Sequence, residues 1–175
     1  LADPANILAG KTGNVVLTAA ATGSLAGDVA LALTSNANGV TGLTTTALTG
    51  ATIAVTGAAY DLASPTFAST VVFGNVRRGA TSTLAVTNTV LAGGNAAFQD
   101  SLDVAASTGS TALATGAAIN VAAGATGQLT LTSLLAGDLT AAVALTRLSN
   151  ANGLAGLSNA SLGGATVAIT GAAYD

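Results

Sequence analysis

The chain has no histidine, cysteine, methionine, tryptophan or glutamate. Without imidazole or thiol it lacks the commonest general base, the commonest strong nucleophile and the soft metal ligands, and no disulfide framework can form. Charge is scarce as well: Lys11, Arg77, Arg78 and Arg147 stand against seven aspartates, giving a net charge of -3 with 6% charged residues. Nucleic acid binding requires a basic stripe that neutralises phosphates, and four scattered cations cannot make one. Aromatic residues amount to three Phe and two Tyr. A glycosidase built on paired Asp carboxylates would have no aromatic walls to hold a sugar, and the many Ser and Thr hydroxyls have no base to activate them. An enzyme is not expected.

Long apolar runs are missing too. Mean hydropathy is +0.67 and half of the residues are hydrophobic, yet Ala carries that figure, and no stretch of about 20 apolar residues escapes interruption by Thr, Ser, Asn, Asp or Gly. No transmembrane segment is predicted. An outer-membrane barrel would carry aromatic girdles at both interfaces, and this composition cannot supply them. Disordered chains combine low hydrophobicity with high net charge, the opposite of what is seen here. The chain is expected to fold, with length enough for one large core or two small ones.

What the sequence does contain is a copy of itself. The segment SNANGVTGLTTTALTGATIAVTGAAYD closes at Asp61, and SNANGLAGLSNASLGGATVAITGAAYD closes at Asp175. The offset, 175 minus 61, is 114, and it runs without a gap back to Ile7 and Val121, with 29 identities in 55 positions. Residues 62–175 read as one complete unit, and residues 1–61 as the second half of an earlier unit, so the chain is expected to be a piece of something longer.

Strand signals dominate. Val71–Phe73, Thr83–Thr87, Ala117–Val121, Gln128–Thr132, Ala141–Leu145 and Ala165–Thr170 are short, rich in Val, Ile, Leu and Thr, and often alternate apolar with polar or small residues. Gly, Asn and Asp between them supply turns. About seven strands in some 110 residues is the size of an immunoglobulin-like sandwich. The predicted fold is therefore all-β: antiparallel, immunoglobulin-like β-sandwich repeats, one complete unit (62–175) behind a half unit (1–61).

The segment from Phe73 to Thr89, FGNVRRGATSTLAVTNT, resembles the pattern F-G-x-V-x-x-G-x-x-x-T-x-x-V-x-N-T that opens bacterial choice-of-anchor D domains and the related ASPM/SPD-2/hydin-like immunoglobulin domains. The closing strand Thr166–Gly171 and the ending Ala173-Tyr174-Asp175 are similar to the ends of tandem repeats in bacterial surface proteins of that kind. The resemblance implies a sandwich fold on the cell exterior and the work of a spacer, an adhesive module or a docking surface. This chain departs from the pattern in having Ala at many core positions and a Gly-Gly-Asn run at 93–95.

Individual residues offer few sites. Asn36, Asn38 and Gly39 recur as Asn150, Asn152 and Gly153. Asn-Gly tolerates positive φ, so these read first as turns, with side-chain amides available to ladder between stacked copies. Asp61, Asp100 and Asp103 are the candidate oxygens for calcium, although the chain has no D-x-D-x-D-G loop and the ordinary reading is solvated strand-edge acids. Arg77 and Arg78 have Asp100, Asp103 or a neighbouring module as candidate partners, with solubility or edge protection as the ordinary reading. Lys11, a candidate for a Lys–Asn isopeptide, falls opposite Ala125, which excludes a cross-link shared by both copies. Asn159 opens a glycosylation sequon whose counterpart begins with Thr45. No catalytic residue and no cofactor are expected.

These readings converge on an extracellular, cell-surface structural protein that self-assembles into a filament, sheath or surface layer. Its partner would be itself, as a homopolymer, alongside glycans or other surface proteins. Low charge and strong strand propensity favour association through strand edges, and a half unit either packs onto the complete unit as one larger sandwich or is completed by strand addition from a neighbouring subunit. The alternative is the stalk of an adhesin whose ligand-binding part lies outside this segment. An ice-binding surface ranks third, because it would need a short Thr repeat and the period here is 114.

Overall fold

A computed structural model describes residues 7–175. It comprises two compact units, Leu1–Ala59 and Tyr60–Asp175. Tyr60 and Asp61 belong to the second: the Tyr60 ring lies 5.5 Å from that of Phe98, and the Asp61 backbone donates to Phe98 O and accepts from the Asp100 N–H.

The first unit is one long antiparallel ribbon. Among the described residues its strands are β1 (Gly23–Ser24), β2 (Gly27–Leu31), β3 (Thr34–Ser35), β4 (Thr46–Ala47), β5 (Ala51–Val55) and β6 (Ala58–Ala59). They pair as β1 with β6, β2 with β5 and β3 with β4. Partner numbers sum to 82 from Gly23↔Ala59 to Leu31↔Ala51 and to 81 at Thr34↔Ala47 and Ser35↔Thr46, so a single hairpin carries one register shift near its tip. The tip turns through Asn38 at φ 52°.

The second unit is a two-sheet β-sandwich of immunoglobulin-like build. One sheet contains β7 (Pro65–Phe67), β9 (Thr81–Asn88), β11 (Leu113–Thr115) and β13 (Thr126–Ser133), in the order β11-β13-β9-β7. The other contains β8 (Thr70–Arg77), β10 (Ser101–Thr108), β12 (Ala117–Val121), β14 (Gly137–Asp138), β15 (Ala141–Asn150) and β16 (Ala160–Tyr174). There β10 lies between β12 and β15, and β16 lies between β15 and β8. The named strands pair antiparallel except for β8 with β16, which is parallel, and an isolated parallel bridge joins Asp61 and Gln99. All six runs predicted from alternation fall inside strands of this unit.

Alternation fixes the core. Leu84 and Val86, Leu129 and Leu131, Leu102 and Val104, Val143 and Leu145, and Val167 and Ile169 are spaced two apart, so each pair points to one face, and all are buried between the sheets. A buried polar network closes one end of the sandwich. Asn88 donates to the carbonyls of Asp100 and Val121 and accepts from Gln99 and the Ser64 N–H. Ser149 accepts from the Ala63 N–H and donates to Asp100 Oδ2 at 2.7 Å. Buried polar groups are tolerable when partnered in this way.

The hairpin formed by β14, β15 and β16 is the repeat of the first unit. Its partner numbers sum to 310 from Gly137↔Ala173 to Thr146↔Gly164 and to 309 at Leu148↔Ser161 and Ser149↔Ala160. Both sums exceed those of the first unit by 228, twice the repeat offset, so the register shift occurs at the same place in both copies. The turns agree as well: φ is 52° at both Asn38 and Asn152, and the Asn36 and Asn150 side chains each accept from the N–H two residues on, at 2.8 and 2.9 Å.

Candidate assembly site

The two hairpins differ in what lies against them. In the second unit β10 runs along β15, β8 runs along β16, and the other sheet covers the apolar face. Leu139, Val143, Leu145, Val167, Ile169 and Ala173 are consequently no more than 2% exposed. Their counterparts 114 residues earlier are Leu25, Val29, Leu31, Ile53, Val55 and Ala59. None of these is buried, and Ile53 is 43% exposed. No described residue of the first unit is buried at all. An isolated two-stranded hairpin is marginal in water, and full burial of one such aliphatic side chain contributes about 1.5–3 kcal/mol. The half-covered face therefore has free energy to gain from further cover.

Beside that face lies a groove of about 720 Å³ lined by Ile7, Leu8, Leu33, Asn36, Asn38 and Leu48, among others. Two of the Asn-loop residues singled out from the sequence thus sit at the groove. In the second unit the same loop holds a strand. Asn152 Nδ2 donates to Ser101 Oγ at 2.8 Å, and Asn150 Nδ2 donates to Asp103 Oδ2 at 2.8 Å. Asp103 Oδ1 also accepts from the Asn120 N–H. Gly39 and Gly153, at φ 79° and 73°, complete the turns. The loop combines two tasks: it reverses the chain and clamps β10 by its amides.

The aspartates do not meet as a ligand set. Asp103 is engaged by Asn120 and Asn150, and Asp100 by Ser149. Asp100 Oδ1 is buried with no hydrogen-bond partner among the described residues. Among those residues no group of three or more His, Cys, Asp or Glu stands ready to hold a metal. The arginines pair elsewhere than expected. Arg78 Nε meets Asp175 Oδ1 at 2.9 Å and Arg77 donates to the Asp175 carbonyl, because β8 and β16 end side by side. Exposed pairs of this kind contribute about 0–1 kcal/mol. Lys11 is exposed, and its backbone N–H closes a turn onto Leu8 O. The exposed Asn159 accepts from the Ala151 N–H.

Sequence reasoning passed over β10. Ser101, Leu102, Asp103, Val104, Ala105 and Ala106 do alternate, but the acids at 100 and 103 drew attention to calcium instead of to a strand whose outward positions carry polar anchors.

Fold and site together define an all-β module with a fully covered hairpin in one unit and a half-covered one in the other. No protein-family model matches the chain, and no curated protein matches its sequence. Among solved structures, it is similar to domains 1–6 of the surface layer protein SbsC, at 16% identity and TM-score 0.43, over 72% of this chain and 15% of that one. It is also similar to the S-layer protein rSbsC(31-844), at 18% identity and TM-score 0.39, over 71% and 15%. A third is the ASH/PapD-like domain of human CEP192, at 11% identity and TM-score 0.42, over 65% and 87%. The chain spans about 15% of the length of the two SbsC structures. Among the described residues no helix is long and apolar enough to cross a membrane.

Proposed function

We propose that this chain is a non-catalytic structural protein of the bacterial cell exterior whose β-sandwich repeats assemble by completing one another. One observation carries the reading. The hairpin of residues 23–59 has the register and turn geometry of residues 137–173, but its apolar face is only partly covered. A face that the repeat buries in one copy and covers only in part in the other is a face built for the same kind of cover. Small side chains allow close sheet contact, and a charge content of 6% leaves little repulsion between copies. The absence of Cys and Met suits an oxidising exterior.

The test is to image the native assembly and label it. Antibodies raised against the 175 residues should decorate the outside of intact cells, and electron microscopy of that layer should show a regular array or filament. Label confined to the cell interior would refute the proposal. Surface label on isolated stalks, without lateral order, would replace assembly by the adhesin-spacer alternative.

A further inference from the structure

We infer that the second unit is a tension-bearing element, in which β8 and β16 form a mechanical clamp against a pull applied along the chain between Asp61 and Asp175. The inference adds to the structural role proposed above and does not depend on how copies assemble, so the two can fail separately.

Strand direction carries it. A pull along the chain reaches β8 at its first residue, Thr70, and β16 at its last, Tyr174. Because the two strands run parallel, Thr70 lies beside Ala168 and Arg77 beside Tyr174. The loaded ends are therefore at opposite ends of one ladder of seven residue pairs, roughly 20 Å long at strand spacing. Tension draws one strand lengthwise past the other, and the evenly spaced main-chain bonds between them are loaded together instead of in turn. An antiparallel pair in the same place would have both loaded ends at one end of its ladder and would peel pair by pair.

The rest of the unit makes this ladder the point of resistance. Among the described residues β8 pairs with no other strand, while β16 is held on its far side by β15 and β14. The body of the sheet thus stays with β16, and β8 is what must move. Val71 is buried, and Phe73 and Val76 pack against the core, so β8 cannot leave without opening the apolar interior to water. Ahead of β8 the entry segment has a shorter hold. The N–H groups of Ala63 and Ser64 donate to Ser149 Oγ and Asn88 Oδ1, and β7 adds three pairs with β9. At the other end of the ladder the Arg78 N–H donates to Tyr174 O, and Arg78 Nε meets Asp175 Oδ1.

The first unit has the opposite arrangement. In its ribbon Gly23 pairs with Ala59 at the open end, so tension between those two residues separates the pairs one at a time. A segment that extends under a small load therefore precedes, on the same chain, one that holds.

The experiment is single-molecule force spectroscopy on the 175-residue chain. The sequence has no cysteine, so thiols for handles can be placed at will. One version carries Leu62→Cys and a cysteine appended after Asp175, which loads the ladder lengthwise. Another carries Thr70→Cys and Thr166→Cys, which pulls the same ladder apart from one end; Leu62, Thr70 and Thr166 are exposed. At equal pulling speed the lengthwise unfolding force should be several-fold above the peeling force. The lengthwise event should free the 114 residues from 62 to 175 in one step, a contour gain of about 380–410 Å. Forced unfolding follows the unfolding barrier and not equilibrium stability. Gly171→Ala, which wedges β8 from β16 at their closest approach, should therefore lower the lengthwise force more than Leu131→Ala does, a core change in the other sheet. Equal forces in the two directions overturn the inference, and that comparison needs neither variant to fold. A lengthwise force that tracks equilibrium stability whichever residue is changed overturns it as well. A weak clamp in a chain that still forms an ordered surface array removes this inference and leaves the proposed function; a strong clamp in a chain confined to the cell interior does the reverse.

Discussion

The hairpins of residues 23–59 and 137–173 share their register, their register shift and their turn angles, yet one is the centre of a six-stranded sheet and the other, among the described residues, pairs only with itself and is half covered. Local information, held in glycines, Asn-Gly turns and alternating aliphatics, suffices to write the ribbon twice. Burial is not local. It depends on β8, β10 and the second sheet, which arise from residues 65–133, whereas among the described residues the strands of the first hairpin pair only with one another. A repeat can thus specify a shape completely and leave its stability to whatever lies alongside.

Equivalent substitutions in the two copies should therefore have unequal effects. The largest difference is expected in the core. Leu145→Ala removes a side chain that is 1% exposed and should destabilise the second unit by about 2–5 kcal/mol. Leu31→Ala, at a position only half covered, should cost the free chain less than about 1 kcal/mol. Denaturant unfolding followed by circular dichroism measures both, and equal losses would break the comparison.

Glycine comes next. A Cβ at Gly171 would lie 2.7 Å from Gly74 O and 2.8 Å from Phe73 Cβ, at φ 146°, because β8 runs tight against β16 there. A Cβ at Gly57, at φ 153°, meets nothing within 4 Å. Gly171→Ala should cost about 2–4 kcal/mol, combining clash with backbone strain, and Gly57→Ala about 1 kcal/mol from strain alone. Adding a neighbour on the first hairpin should raise the second figure towards the first.

A slower chemical probe sharpens the same contrast. In Asn-Gly, the glycine nitrogen attacks the Asn side-chain carbonyl, ammonia leaves, and water opens the ring to Asp or isoaspartate. Asn152 holds its side-chain amide against Ser101, whereas the Asn38 side chain lacks that strand partner. Mass spectrometry after long incubation should find residue 38 deamidated several-fold faster than residue 152. Matching rates would show that the clamp does not restrain the loop.

The smallest effect concerns pH. Hydrogen bonds from the Thr140 hydroxyl and N–H hold the exposed Asp138 carboxyl below its ordinary value of 3.8. A lowered carboxyl contributes stability above its unfolded value and loses it as pH falls through the folded one. The counterpart is Ser24, whose hydroxyl accepts from the Ala26 N–H and does not titrate there. The difference in unfolding midpoint between the native chain and Asp138→Asn should accordingly shrink as pH drops below about 3.8. A difference that grows on acidification would reverse the assignment.

Much of this fold could be read in the residues. Alternation at Leu84/Val86, Leu129/Leu131 and Val167/Ile169 announced strands with one buried face, and the 114-residue offset announced the second hairpin. The parallel pairing of β8 with β16 was not legible, since it joins residues 97 or 98 positions apart through backbone alone. Nor was the Arg78–Asp175 pair, which follows from that neighbourhood. The Asn loops were legible as turns. Their grip on Ser101 and Asp103 was hidden because hydrogen bonds across 47 and 51 residues leave no mark in local pattern.

Hydrogen exchange on the free chain tests the central claim most directly. In a preparation that sediments as a monomer, amides of residues 141–145 and 165–169 should exchange only through unfolding of the whole second unit, whereas those of residues 27–31 and 51–55 should exchange orders of magnitude faster, through local opening. Equal protection of the two hairpins in that monomer would mean that the first is already covered, and would contradict the account.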